Sequence, residues 1–78
     1  MTWEELKEKA KEIGGVLSES SFGTWYIKYK DLKFYWDGGI TVDYSYYDSG
    51  DDENYSDSEV ITSNRTPDQM WQIMEALR

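Results

Sequence analysis

The stretch WYIKYKDLKFYWDGGITVDYSYY, residues 25–47, decides the fold, because its apolar and polar side chains alternate with the two-residue period of half-buried β-strands. Trp25, Ile27 and Tyr29 alternate with Tyr26, Lys28 and Lys30; Leu32, Phe34 and Trp36 alternate with Lys33, Tyr35 and Asp37. The parity changes between Tyr29 and Leu32. A one-residue slip would throw one set of rings out of the core, so the spacing predicts a turn or bulge at Lys30-Asp31. Asp37-Gly38-Gly39 is a turn, since Asp-Gly readily takes the positive φ angles that a tight hairpin requires. The strand behind it places Ile40, Val42, Tyr44 and Tyr46 on a core face and Thr41, Asp43, Ser45 and Tyr47 on an outward face.

Working outward, Thr2-Trp3-Glu4-Glu5 has the form of a capping box, and Trp3, Leu6, Ala10 and Ile13 then share one helical face until Gly14-Gly15 stops the helix. Val16-Leu17 reads as the start of a short strand and Phe22-Gly23-Thr24 as a turn. On the other side, residues 48–58 are rich in Asp, Ser, Gly and Asn, with Tyr55 the one large apolar side chain, and read as a long acidic loop. Val60-Ile61-Thr62 reads as a short returning strand. Thr66-Pro67-Asp68-Gln69 is a second capping signal, followed by Met70, Ile73, Met74 and Leu77 as the stripe of an amphipathic helix. The expected fold is a single α+β domain spanning 1–78: an N-terminal helix, an antiparallel sheet of three to five strands and a C-terminal helix, with both helices on one face of the sheet. The other face is left to water.

The formal net charge is −8 and is unevenly placed. Residues 1–33 carry six acids and six lysines, and in residues 65–78 Arg65 and Arg78 balance Asp68 and Glu75. Between Phe34 and Asn64 lie eight acids and no basic residue, so the whole excess belongs to one segment. Such a one-signed field repels nucleic acid and steers a basic partner. There is no Cys and no His, which removes disulfides, thiolate nucleophiles, imidazole bases and most transition-metal sites. No stretch approaches the roughly 20 apolar residues of a membrane span, and the first residues lack the pattern of a secretory leader, so a cytoplasmic setting is expected.

Three chemistries fit these residues poorly. Asp48 and Glu59 are spaced like the first and twelfth positions of an EF-hand loop, but Gly50 and Glu53 stand where an oxygen ligand and the obligatory Gly belong. A carboxylate pair for glycoside hydrolysis would need a concave pocket that a chain of 78 residues has little room to build. Aromatic strands can stack on single-stranded nucleic acid, but such platforms need a positive groove, and here only Lys28, Lys30 and Lys33 are near. The expectation is a binding protein, not an enzyme, with no cofactor and no direct contact to nucleic acid.

The leading expectation for such a binding protein is imitation of nucleic acid by its acidic strand and loop. Same-face residues of a strand repeat about every 6.6 Å, twice the roughly 3.4 Å axial spacing of phosphates along a duplex strand. Carboxylates at Asp43, Asp48, Asp51, Asp52, Glu53, Asp57 and Glu59 can therefore imitate a short run of phosphates. In size, acidity and element order the chain resembles small phage-encoded inhibitors, among them anti-CRISPR proteins and other DNA mimics. The run Ser63-Asn64-Arg65-Thr66-Pro67-Asp68-Gln69-Met70 is similar to small phage proteins as well, and equally reads as helix capping. The resemblance implies a basic, nucleic-acid-binding target in a host cytoplasm, with Tyr47 and Tyr55 as anchors among the acids. The competing expectation is a structural or assembly domain, monomeric or homodimeric, that binds through an aromatic surface and is acidic only for solubility.

Overall fold

The computed structural model describes residues 1–78 and contains α1 (Trp3–Glu12), β1 (Val16–Glu19), β2 (Trp25–Tyr29), β3 (Leu32–Tyr35), β4 (Ile40–Asp48), β5 (Glu53–Thr62) and α2 (Pro67–Leu77). Both helices start where the sequence places a capping box. The hydroxyl of Thr2 accepts from the Glu5 amide at 3.2 Å while the Glu5 carboxylate accepts from the Thr2 amide at 3.1 Å. Thr66 and Gln69 repeat the arrangement at α2. α1 ends because Gly14 takes φ 98°: its N–H donates to the Lys11 carbonyl at 3.2 Å, and that of Gly15 to the Ala10 carbonyl at 2.7 Å.

The five strands form one antiparallel sheet in the order β1-β2-β3-β4-β5, a plain meander. Tyr29 lies opposite Leu32, so the predicted parity change is the two-residue turn Lys30-Asp31, with Lys30 at φ 57°. Gly38 turns the chain between β3 and β4 at φ 102°, and the Asp37 carboxylate accepts from the Gly39 amide at 3.1 Å. The core holds eight side chains: Ile27, Tyr29, Phe34 and Ile40 from one face of the sheet meet Leu6 and Ala10 of α1 and Met70 and Met74 of α2. Both helices therefore lie on the same face, as the pattern of apolar residues requires. No helix is long and apolar enough to cross a membrane.

The acidic segment departs from its expectation. Residues 48–58 are not a loop: only Ser49 to Asp52 turn, and Glu53–Thr62 is a ten-residue strand. It pairs with β4 continuously from Asp48↔Glu53 to Val42↔Glu59 and on to Thr41↔Val60; a bulge between Ile40 and Thr41 then sets Ile40 opposite Thr62. The expected short strand at 60–62 is the end of this longer one. Residues 53–59 of β5 contain one strand former, Tyr55, and what orders them is the backbone ladder offered by β4. β3 reaches only as far as Val42, apart from one further bond from the Asp43 amide to the Asp31 carbonyl at 2.9 Å. Beyond that point β4 and β5 form a two-stranded ribbon. From Asp43 to Asp48 it rises about 17 Å, which contributes to a long axis of 47 Å against 28 and 19 Å across.

Two backbone positions are expected to respond with opposite sign. A Cβ on Gly38 would stand 3.0 Å from both the amide nitrogen and the carbonyl oxygen of Arg65, so Gly38→Ala should cost about 1–3 kcal/mol. Lys30→Gly relieves a left-handed lysine and should gain up to about 1 kcal/mol. Urea unfolding midpoints of the two variants against wild type check both signs.

Candidate functional site

The ribbon has two chemically different faces, set by the period of two. Tyr44, Tyr46, Asp48, Glu53, Tyr55, Asp57 and Glu59 continue the face that carries Ile40 and Val42, while Asp43, Ser45, Tyr47, Asn54, Ser56 and Ser58 continue the opposite one. Tyr44 and Tyr46 are thus in the expected register but not in the core: the helices do not cover them, and they are 42% and 48% exposed. Their rings form a ladder with the cross-strand neighbour of Tyr46. Tyr44 and Tyr46 are 6.2 Å apart between ring centroids, and Tyr46 stacks on Tyr55 at 5.7 Å.

Tyrosines also hold the acids of the turn. The Tyr47 hydroxyl donates to Asp52 and the Tyr55 hydroxyl to Asp51 at 2.9 Å. Asp48 accepts from the Gly50 amide and Asp57 from the Ser58 amide, both at 2.8 Å. Asp52 occupies the left-handed region at φ 53°, a conformation that Asp tolerates better than most residues. The neighbouring carboxylates hold the protons on the phenols more tightly than usual. The pKa of Tyr44 is raised chiefly by the charge of Asp57, then by desolvation and Glu59; that of Tyr47 by its bond to Asp52; that of Tyr55 by its bond to Asp51. All three remain neutral hydrogen-bond donors at physiological pH.

Of the nine residues nominated from the sequence, Asp48, Glu53, Tyr55, Asp57 and Glu59 share one face, Asp51 and Asp52 stand in the turn, and Tyr47 lies on the reverse face. Asp43 is set apart from all of them. It sits at the base of the ribbon on the reverse face, hydrogen-bonded to Lys28 and 3.5 Å from Lys33. Lys28 and Lys33 are direct cross-strand partners, a like-charge pair that is unfavourable alone. Asp43 bridges that pair and offsets one of its two charges, so its carboxylate is already engaged within the protein.

Tyr44 and Tyr46 were missed as surface residues. The signal for them was the length of the strand, since tyrosines alternate with polar residues further than a ten-residue helix can reach. The residues at EF-hand spacing lie on two antiparallel strands, with Asp48 opposite Glu53 rather than near Glu59. No cluster of three or more acids converges in the geometry of a metal site. At the other end of the sheet, Trp3, Leu17, Trp25 and Trp36 line a cleft of about 450 Å³ with Glu4 and Lys7. Those two charges satisfy each other at 2.8 Å.

Comparison with protein-family models, with curated proteins and with solved structures found no match.

The carboxyl of Asp43 is held below its ordinary value of 3.8, mainly by the hydrogen bond from Lys28, against the opposing effect of desolvation and with help from Lys33. A carboxylate depressed in the folded state stabilises it above the unfolded pKa, and that stabilisation is lost as pH falls through the folded value. Asp43→Asn is expected to cost on the order of 1 kcal/mol at neutral pH, where the two lysines would face each other uncompensated. The gap to wild type should close as pH is lowered below about 3.8. Thermal unfolding of both proteins between pH 7 and pH 2 checks this, and a gap independent of pH would contradict it.

Proposed function

We propose that this chain is an acidic protein-binding inhibitor whose ribbon enters the basic nucleic-acid groove of another protein, a nuclease or other DNA- or RNA-processing protein. The observation that carries this reading is the projecting β4–β5 ribbon, which bears Asp48, Asp51, Asp52, Glu53, Asp57 and Glu59 and no basic residue. At the tip Asp48 and Glu53 stand directly opposite each other, a like-charge pairing that costs stability in the free protein. A cationic partner relieves that cost on binding. Because the ribbon is a hydrogen-bonded hairpin rather than a mobile loop, little conformational entropy is lost when it docks.

On the shared face Asp57 and Glu59 lie about 6.6 Å apart along β5, near every second phosphate of a nucleic-acid strand, and Glu53 lies about twice as far from Asp57, beyond Tyr55. A groove built to hold phosphates therefore meets charges at a familiar spacing, on a support only two strands wide. Small phage-encoded DNA mimics, including anti-CRISPR inhibitors, are the class this proposal points to, with a host cytoplasm as the setting. A second reading draws on the opposite end of the molecule, where Trp25 and Trp36, which line the tryptophan cleft, are exposed. On that reading the chain is an assembly domain, homodimeric or bound to another protein through those rings.

One experiment separates the two. Wild type and a variant carrying Asp48, Asp51, Asp52, Glu53, Asp57 and Glu59 as Asn or Gln are used as bait in host lysate at low salt and at about 0.5 M salt, where the screening length falls to a few ångströms. The captured protein is then assayed for nucleic-acid binding with and without the bait. The inhibitor reading expects capture by wild type at low salt only, at least about tenfold loss in the amide variant, and competition with nucleic acid. Equal capture by both baits at both salts would contradict it and move the interface to the tryptophan end.

A further inference from the structure

We propose that the tyrosine ladder makes the ribbon selective for arginine, so that the partner surface it fits is a guanidinium-rich segment rather than a lysine-rich one. This rests on the acidic-ribbon reading above and adds the chemistry of the contact. Tyr44, Tyr46 and Tyr55 form one run of partly exposed rings, with centroids 6.2 and 5.7 Å apart. No cation of the protein lies over them. The three cation–π contacts within the fold are elsewhere, Lys9 over Trp71, Lys30 over Tyr29 and Lys33 over Tyr26. The chain thus uses its own lysines on rings of its body and leaves the ladder, whose rings touch one another, without a cation.

The acids are arranged beside those rings. Asp57 is the direct cross-strand partner of Tyr44, Glu59 stands two residues further along the same face, and Asp48 and Glu53 flank the Tyr46–Tyr55 pair. A ring face with a carboxylate at its edge suits a planar cation. The guanidinium group lies flat on the aromatic face, while its fork of N–H donors reaches a neighbouring carboxylate in two parallel bonds. An ammonium group is a strongly hydrated point charge that can satisfy the carboxylate but gains less from the ring. Ribbon-to-ribbon contact with a second copy of this chain is disfavoured, because it would bring like charges against Asp48, Glu53, Asp57 and Glu59.

The test uses the whole chain with oligo-arginine and oligo-lysine peptides of equal length and charge, measured by calorimetry at low salt and by the NMR shifts of tyrosine ring protons. Three proteins are compared: wild type, Tyr46→Thr, which removes the central ring of the ladder while keeping a strand-forming side chain, and Tyr46→Phe, which keeps the ring. The expected result is roughly tenfold tighter binding of the arginine peptide by wild type and by Tyr46→Phe, a factor built from two or so ring contacts. In Tyr46→Thr the two affinities should come within about twofold of each other. Ring protons of Tyr44, Tyr46 and Tyr55 in wild type should shift with the arginine peptide, a readout that does not depend on any variant folding.

Equal affinity of wild type for the two peptides overturns the arginine inference and leaves the acidic ribbon standing as a surface that senses only charge. An arginine preference that survives in Tyr46→Thr also overturns it, by placing the preference outside the ladder. Binding of neither peptide overturns both the inference and the reading beneath it.

Discussion

Helices and strands of similar residue count differ in length by a factor of about two, and the shape of this protein follows from that mismatch. α1 and α2 have ten and eleven residues and rise about 15 Å at 1.5 Å per residue. β4 and β5 have nine and ten residues and run about 30 Å. Two short helices packed on one face can cover only part of the long hairpin. The eight core side chains accordingly stop at Ile40, and Tyr44 and Tyr46, which continue the same face, emerge into solvent.

That overhang also sorts the charge. Residues 1–33, neutral overall, build α1 and the first two strands, where lysines and acids can answer one another. Of the eight acids that make up the excess negative charge, all but Asp37 fall in the segment that forms β4, the turn and β5. Asp43, at the boundary, is drawn into the body by Lys28 and Lys33, and beyond it nothing basic remains on the ribbon. The tip is stabilised instead by tyrosine hydroxyls donating to Asp51 and Asp52 and by backbone amides donating to Asp48 and Asp57. The opposite end holds the exposed tryptophans, so the molecule presents two surfaces of contrasting chemistry far apart along its long axis.

Much of this was legible because local chemistry and tertiary demand agree. Thr2 and Thr66 begin helices where a capping box predicts, and Gly14 ends one with the positive φ that only glycine adopts freely. The parity change between Tyr29 and Leu32 located a hairpin turn to the residue. Only the end of β5, at Val60–Thr62, was legible, because nothing within Glu53 to Glu59 alternates in hydrophobicity. Its order comes from a partner strand, and pairing is a relation between two segments that neither composition discloses alone. The solvent exposure of Tyr44 and Tyr46 and the internal pairing of Asp43 were hidden for the same reason. Each depends on what other elements reach, the helices in one case and the lysines of β2 and β3 in the other.

The central claim is that the acidic segment is a hydrogen-bonded ribbon with its tyrosines stacked on one face. Amide hydrogen exchange read residue by residue by NMR, together with nuclear Overhauser contacts between the rings of Tyr46 and Tyr55, tests it most directly. The account expects contacts between those two rings and slowed exchange at the inward-pointing amides of residues 43–48 and 53–60, alternating with fast exchange at the outward-pointing ones. Uniformly fast exchange from 44 to 59, with no contact between Tyr46 and Tyr55, would contradict it.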